Sequence, residues 1–79
     1  MADVRVTYDR QANAAYLYLT DPATPAARCY PRDPVSVDGM INLDFDDRGR
    51  LIGIEVPAAD SKLPEQLLDA AERLDVEHP

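Results

Sequence analysis

Apolar residues recur at every second position in four separate segments of this chain, and that period is typical of strands with one buried face. The segments lie at residues 3–8, 15–20, 40–46 and 50–57. After Pro57 the period becomes helical. The residues on the helical stripe are Leu63, Leu67, Leu68, Ala71 and Leu74. The chain is therefore predicted to form a sheet followed by one helix.

A fifth strand is expected at residues 27–32, on the edge of the sheet, because proline cannot donate to a sheet ladder. The prolines in or near this segment are Pro22, Pro25, Pro31 and Pro34. Short connections favour antiparallel neighbours. The predicted fold class is α+β, with a single domain over residues 1–79. It consists of a small antiparallel β-meander of four to five strands and one C-terminal α-helix, at residues 63–74, packed on one face. Residues 75–79 are expected to be a frayed tail.

The length of 79 residues limits the size of the core, since so short a chain buries only about 60% of the surface that its unfolded form exposes. Cys29 is the single cysteine, so we expect no disulfide and a cytoplasmic location. We recognise no signal peptide and no stretch near the roughly 18 apolar residues of a membrane span. The formal charge of −7 argues against nucleic acid as a partner.

The second predicted strand carries large side chains on both faces, with Leu17 and Leu19 on one and Tyr16 and Tyr18 on the other. The helix covers one face only, so the face with the tyrosines is expected to stay partly open. Exposed apolar area of this kind often marks an interface. We therefore expect a small, acidic, soluble and non-enzymatic protein-interaction module that self-associates as a homodimer or higher oligomer. Tyr16 and Tyr18 are its candidate interface residues.

The stretch from Asp44 to Glu55 has spacing close to that of a calcium-binding loop. Such a loop needs oxygen ligands at its first, third and fifth positions, glycine at the sixth and a bidentate Glu at the twelfth. Arg48 stands at the fifth position, and the flanking residues alternate with period two. We therefore interpret the stretch as a β-hairpin with Asp46 and Gly49 as structural turn residues, and we expect no metal and no cofactor.

The register of this hairpin has two alternatives at the level of sequence. An even register pairs Leu43 with Ile52 and Ile41 with Ile54. A three-residue loop with a glycine bulge instead places Asp44 beside Ile52, and a slip of one residue moves every side chain to the other face.

Glu55 is a candidate functional residue because it lies in an apolar strand, between Ile54 and Val56. It is either an outward-facing solvated acid or the partner of an arginine or a tyrosine hydroxyl, across the sheet or across a subunit interface. Asp9, after the first strand, is expected to be a structural turn residue.

Catalysis has little support in the sequence, and we assign no catalytic residue. The single histidine, His78, lies in the tail. Cys29 lies near Arg28 and Arg32, which would lower its pKa, but no base is placed beside it. The simpler interpretation of Cys29 is a small apolar residue on an edge strand. An alternative function is a small-ligand or divalent-metal-binding enzyme that uses the acids of the hairpin and its surroundings. These acids are Asp9, Asp44, Asp46 and Glu55.

Two motifs, TYDRQANAAYLYL and GMINLDFDDRGRLIGIEV, resemble the small bacterial family catalogued as domain of unknown function 2283. The matching residues are Tyr8, Asp9, Ala12, Ala14, Tyr16, Leu43, Asp44, Asp46, Gly49, Leu51, Gly53, Ile54 and Glu55. Asn13 departs from the pattern, since an acidic residue is common there, and residues 20–38 match poorly. The resemblance implies little about activity. Some members are similar to small proteins paired with toxin-like partners, which implies a second alternative, an antitoxin-like partner of a small basic protein.

Overall fold

The protein has an α+β fold, as predicted, and its described residues form a six-stranded mixed sheet and two short helices. A computed structural model describes residues 4–33 and 39–74. In chain order the elements are β1 (Arg5–Asp9), β2 (Ala14–Tyr18), β3 (Arg28–Arg32), β4 (Ile41–Phe45), β5 (Leu51–Pro57), α1 (Ala59–Lys62), α2 (Glu65–Ala70) and β6 (Glu72–Arg73). The five predicted strands occur with small shifts of their ends.

The strands do not form the predicted meander, because their order across the sheet is β3-β4-β5-β2-β1-β6. β2 lies beside β5, and the chain then crosses from the middle of the sheet to its far edge before β3 begins. The connection from Leu19 to Ala27 contains Pro22 and Pro25, which disfavour the tight hairpin that would place β3 next to β2. Three antiparallel strands then return from that edge to β2.

The prediction of one helix at residues 63–74 is wrong, because two shorter helices occupy residues 59–70. Leu63, between them, is extended, with φ −107° and ψ 147°. A residue before proline is biased away from helical geometry, and Pro64 lacks the amide that would continue the hydrogen-bond ladder. Neither helix in the described part of the chain has the length and apolar character needed to cross a bilayer.

The end of the predicted helix forms β6, which pairs in parallel with β1. Arg5 donates two hydrogen bonds to the carboxylate of Glu72, at 2.7 and 2.8 Å, and the amide of Leu74 donates to the carbonyl of Tyr8 at 2.9 Å. With these contacts the chain pairs with β1 instead of continuing as a helix, and the parallel pairing makes the sheet mixed instead of purely antiparallel. The predicted frayed tail at residues 75–79 lies outside the described residues.

The hairpin of β4 and β5 follows the second predicted register only at its turn end, where Phe45 lies opposite Leu51, and it departs from both predicted registers farther along the strands. Leu43 lies opposite Ile54 and Asp44 opposite Gly53, whereas Phe45 lies opposite Leu51. β5 therefore has one extra residue between the two parts of the ladder, which is a β-bulge. Because directly opposite residues share a face, Leu43 and Ile54 lie on one side of the sheet and Asp44 on the other.

The hydrophobic core lies between the helices and one part of the sheet. Its buried residues are Tyr8, Ala15, Val56, Ala59, Leu68 and Ala71, with Val6, Leu17, Ile54 and Leu63 packed against them. These residues belong to β1, β2, β5 and the helical segment. Among the described residues no large side chain is completely enclosed. The core is therefore thin, as the chain length predicts.

The start of α1 is held by Asn13, from the turn between β1 and β2. The backbone carbonyl of Asn13 accepts from the amide of Ala59 at 3.0 Å, and its side-chain oxygen accepts from the amide of Asp60 at 3.0 Å. Its side-chain amide donates to the carboxylate of Asp60 at 2.8 Å. Asn13 also has a left-handed backbone, with φ 50°, which asparagine tolerates better than most residues.

Candidate functional site

The side of the sheet opposite the helices presents a row of polar and aromatic residues. Tyr16 lies opposite Glu55, which lies opposite Asn42. Tyr18 and Asp44 lie on either side of Gly53 in the next row. The sheet register therefore brings the three candidate residues Tyr16, Tyr18 and Glu55 to one surface. We call the surface formed by Tyr16, Tyr18, Asn42, Asp44 and Glu55 the tyrosine face.

Tyr16 reaches across one whole strand to form the central contact of the tyrosine face. Its hydroxyl, on β2, donates to a carboxylate oxygen of Asp44, on β4, at 2.5 Å. The ring crosses Gly53 of β5, and a Cβ atom at that position would overlap the hydroxyl end of the ring. Gly53 is therefore required by a close approach, which is a common reason for glycine inside a strand.

The carboxylate of Asp44 is shared by two weakly acidic groups. Burial, followed by the hydrogen bond to Asp44, raises the pKa of Tyr16 far above its ordinary value. The neighbouring Asp44 carboxylate also raises the pKa of the exposed Cys29 thiol. Both groups are therefore protonated at neutral pH, and the Tyr16 hydroxyl donates to Asp44.

Cys29 lies on the edge strand β3, as expected, but its side chain is exposed. The expectation that Arg28 and Arg32 would lower its pKa is wrong. Asp44 lies directly opposite Cys29 in the register, and its carboxylate raises the pKa of the thiol. This placement makes the thiol a poor nucleophile.

Glu55 is exposed, and its partner is an amide. The side-chain nitrogen of Asn42 donates to the carboxylate of Glu55 at 2.6 Å. Of the two alternatives for Glu55, the structure is closer to the outward-facing solvated acid. The carboxylate nevertheless has one hydrogen-bond partner, the side chain of Asn42. The sequence did not single out Asn42. Its alternation with Ile41 and Leu43 places it on the face away from the core once the register is known.

Tyr18 joins the tyrosine face to the edge of the sheet. Its ring centroid lies 4.5 Å from that of Tyr16, and the guanidinium carbon of Arg5, on β1, lies 5.7 Å from the Tyr18 centroid. The hydrogen bonds from Arg5 lower the pKa of the Glu72 carboxyl. A continuous polar and aromatic surface thus runs from β4 to β6.

The turn acids lie away from this surface. An oxygen of Asp9 accepts from the amides of Gln11 and Ala12, at 3.0 and 3.2 Å. An oxygen of Asp46 accepts from two amides of its turn, those of Arg48 and Arg50, each at 2.9 Å. These bonds and the side chain of Arg50 lower the pKa of the Asp46 carboxyl. The carboxylates of Asp9 and Asp46 therefore accept hydrogen bonds within their own turns.

Gly49 completes the second of these turns. It has a left-handed backbone with φ 79°, and its amide donates to the Asp46 carbonyl at 3.1 Å. This turn and the turn that begins at Asp9 lie beyond opposite ends of β5, whose seven residues span about 20 Å. The four acids of the enzyme alternative therefore do not meet in one pocket. Within residues 4–33 and 39–74, no three His, Cys, Asp or Glu side chains are grouped to hold a metal ion.

A model of the family described as protein of unknown function (DUF2283) matches residues 5–59, which is more than half of the chain. Neither a curated protein nor a solved structure gives a significant match. The matched residues include all of the tyrosine face and both acidic turns. The resemblance of the two motifs is thereby confirmed, and the chain belongs to the DUF2283 family.

Proposed function

We propose that the protein is a non-enzymatic protein-interaction module that self-associates. The observation that supports this most directly is an apolar surface on the helix side of the sheet, beyond the reach of the helices. We call it the Tyr30 patch, and it consists of Tyr30, Leu43, Phe45 and Leu51. Leu43 lies opposite both Tyr30 and the core residue Ile54, and Phe45 lies opposite Leu51, so all four lie on the helix side.

The Tyr30 patch is outside the hydrophobic core. Neither β3 nor β4 contributes a residue to the cluster that the helices cover. Tyr30 is 42% exposed and Leu51 is 38% exposed, whereas Leu43 and Phe45 are half-buried. A domain with so thin a core gains stability when such a surface is covered, since each square ångström of buried apolar area contributes about 25 cal/mol.

The chemistry of the tyrosine face supports a non-enzymatic function. The carboxylates of Asp44 and Glu55 accept from neutral donors, and the Tyr16 phenol and the Cys29 thiol both have raised pKa values. A general base or a nucleophile is favoured by the opposite arrangement, in which neighbouring groups poise the pKa near neutrality. The network instead ties β2, β4 and β5 together.

Self-association is tested by sedimentation velocity from roughly 1 to 100 µM, the range in which modest interfaces form. We expect the weight-average sedimentation coefficient to rise with concentration. Thermal unfolding over the same range is a second readout, because association stabilises the native state by mass action and raises Tm with concentration. A single monomeric species at every concentration, with a constant Tm, would contradict the proposal.

A second candidate function is partnership with a small basic protein, and the exposed acid Glu55 in a chain of formal charge −7 favours it. It is tested by co-expression with a small basic protein encoded beside this one. Binding that falls with added salt and in Glu55→Gln supports it. The absence of such a neighbouring gene, or of binding to its product, contradicts it.

A further inference from the structure

We propose that the protein forms a symmetric dimer in which the Tyr30 patch of one copy packs face to face against the Tyr30 patch of a second copy. The two-fold axis of this dimer runs parallel to the strands. This inference rests on the proposed self-association and adds its surface and its geometry. The alternatives are an interface through an edge of the sheet and an interface through the tyrosine face.

The edges of the sheet are poorly suited to pairing. One edge is β3, where Pro31 has no amide to donate and Arg28 and Arg32 flank the strand. Antiparallel pairing of two such strands in register brings arginines of the two copies opposite each other. The other edge is β6, which is two residues long. Prolines, charges and short edge strands are features that prevent edge-to-edge association.

The patch has the composition of the centre of an interface. The rings of Tyr30 and Phe45 pack edge to face, with centroids 5.5 Å apart, so this aromatic pair is held in place before association. Large rigid aromatic side chains are enriched at the centre of protein interfaces. Leu43 and Leu51 extend the apolar surface on the neighbouring strands, and two such sheets pack about 10 Å apart.

The size of the patch constrains the arrangement. Three strands about 4.8 Å apart, with five residues at about 3.3 Å each, present roughly 250 Å². A standard interface buries about 800 Å² on each partner, so the contact must extend beyond the patch. The helices cover the part of the same face nearest β1, and β3 lies at its opposite edge. A two-fold axis parallel to the strands places the helices of each copy beside β3 of the other.

Charges on the two flanks are complementary in this arrangement. Arg28 and Arg32 of β3 lie opposite Phe45 and Ile41, so both arginines are on the helix side of the sheet. Glu65 and Asp69 are exposed on α2. The two-fold axis brings the arginines of one copy toward the acids of the other, twice in each dimer. A two-fold axis perpendicular to the strands would instead place helices against helices and arginines against arginines.

The first test replaces an exposed apolar residue of the patch and compares it with an equally exposed residue elsewhere. Tyr30→Lys is expected to raise the dissociation constant by about 30-fold, as for a central aromatic residue of an interface. Met40→Lys is the matched control, since Met40 is 45% exposed and alternates with Asn42, which lies on the other side of the sheet from the patch. It should leave the dissociation constant unchanged. Circular dichroism of both variants verifies the fold.

The second test reverses the charges of each flank. We expect the dimer of Arg28→Glu/Arg32→Glu to dissociate, because the acidic β3 of each copy then meets the acidic α2 of the other. The dimer of Glu65→Arg/Asp69→Arg should also dissociate, because a basic β3 then meets a basic α2. An equimolar mixture of the two variants restores both contacts and should form a heterodimer, and wild-type association should weaken with added salt. This recovery on mixing is specific to the arrangement of β3 against α2.

The outcomes separate the inference from the function on which it rests. A wild-type protein that is still monomeric at about 100 µM contradicts both the proposed self-association and the proposed interface, because modest interfaces form at or below that concentration. Self-association that survives Tyr30→Lys and is lost in Tyr18→Lys overturns the inference and assigns the interface to the tyrosine face. Loss of association in each charge variant without recovery on mixing overturns the two-fold arrangement.

Discussion

At the scale of single residues, the tyrosine face depends on a contact between a small and a large side chain. Gly53 has no Cβ, so the Tyr16 ring can lie across β5 and reach Asp44. The period of the sequence shows that Tyr16, Asp44 and Glu55 face away from Leu17, Leu43 and Ile54. It does not show which of them touch, because the bulge in β5 sets which residues lie opposite each other.

Gly53→Ala is expected to destabilise the protein by about 1–3 kcal/mol, because the added methyl group displaces the Tyr16 ring. Chemical denaturation of the wild type and the variant measures this difference. The matched control is the same change in a Tyr16→Ala background, where the ring is absent and the cost should largely disappear. A stabilising effect of Gly53→Ala, as expected for an unhindered strand glycine, would contradict the contact.

Asp44→Asn is expected to lower the pKa of Cys29, because it removes the charge that favours the protonated thiol. The fraction of thiolate at a given pH below the wild-type pKa then rises, and alkylation by iodoacetamide becomes faster. The pH profile of the alkylation rate measures this shift in the folded protein. Asp47→Asn, in the exposed turn, is the control and should leave the profile unchanged. The same profile in both variants would show that Asp44 does not set the thiol pKa.

At the scale of elements, α1 depends on a residue far from it in sequence. α1 has four residues and no side-chain cap of its own. Asn13 supplies the missing partners through its carbonyl, its side-chain oxygen and its side-chain nitrogen. An acid at this position would place its carboxylate beside that of Asp60. Asparagine at position 13 therefore avoids repulsion between two neighbouring carboxylates.

Substitutions of Asn13 separate the two parts of this role. Asn13→Gly keeps the left-handed backbone and removes the side-chain hydrogen bonds, so we expect a loss of about 0.5–1.5 kcal/mol for each hydrogen bond. Asn13→Ala also incurs about 1–2 kcal/mol for an alanine in the left-handed region. Urea denaturation should therefore rank the wild type above Asn13→Gly, and Asn13→Ala lowest. Equal stability of the two variants would contradict the backbone contribution.

At the scale of the whole molecule, the positions of the strands follow from the sequence and their arrangement does not. Alternation locates β1, β2, β4 and β5 within about two residues, because burial of one face imposes that period locally. The neighbours of β2 depend on whether residues 19–27 turn back or cross the sheet, which the period does not encode. The helical stripe correctly predicts the burial of Leu68 and Ala71. It also predicts helix at Pro64 and in β6, where the chain is not helical, and in β6 the pairing with β1 overrides helical propensity.

The pairing of β6 with β1 has a consequence for folding kinetics. Arg5 and Glu72 are 67 residues apart, so their contact closes nearly the whole chain and carries a large loop entropy. We expect the hairpins of the sheet to form earlier and β6 to dock after the transition state. Glu72→Gln should then accelerate unfolding and leave the folding rate nearly unchanged in stopped-flow measurements.

A folding rate that slows in Glu72→Gln, with unfolding unchanged, would instead place β6 in the nucleus. If β6 docks last, it is also the first strand to separate during unfolding. Its separation breaks the bond from the Leu74 amide to the Tyr8 carbonyl while β1 stays paired with β2. Hydrogen exchange at the Leu74 amide would then report a local opening well before the sheet itself unfolds.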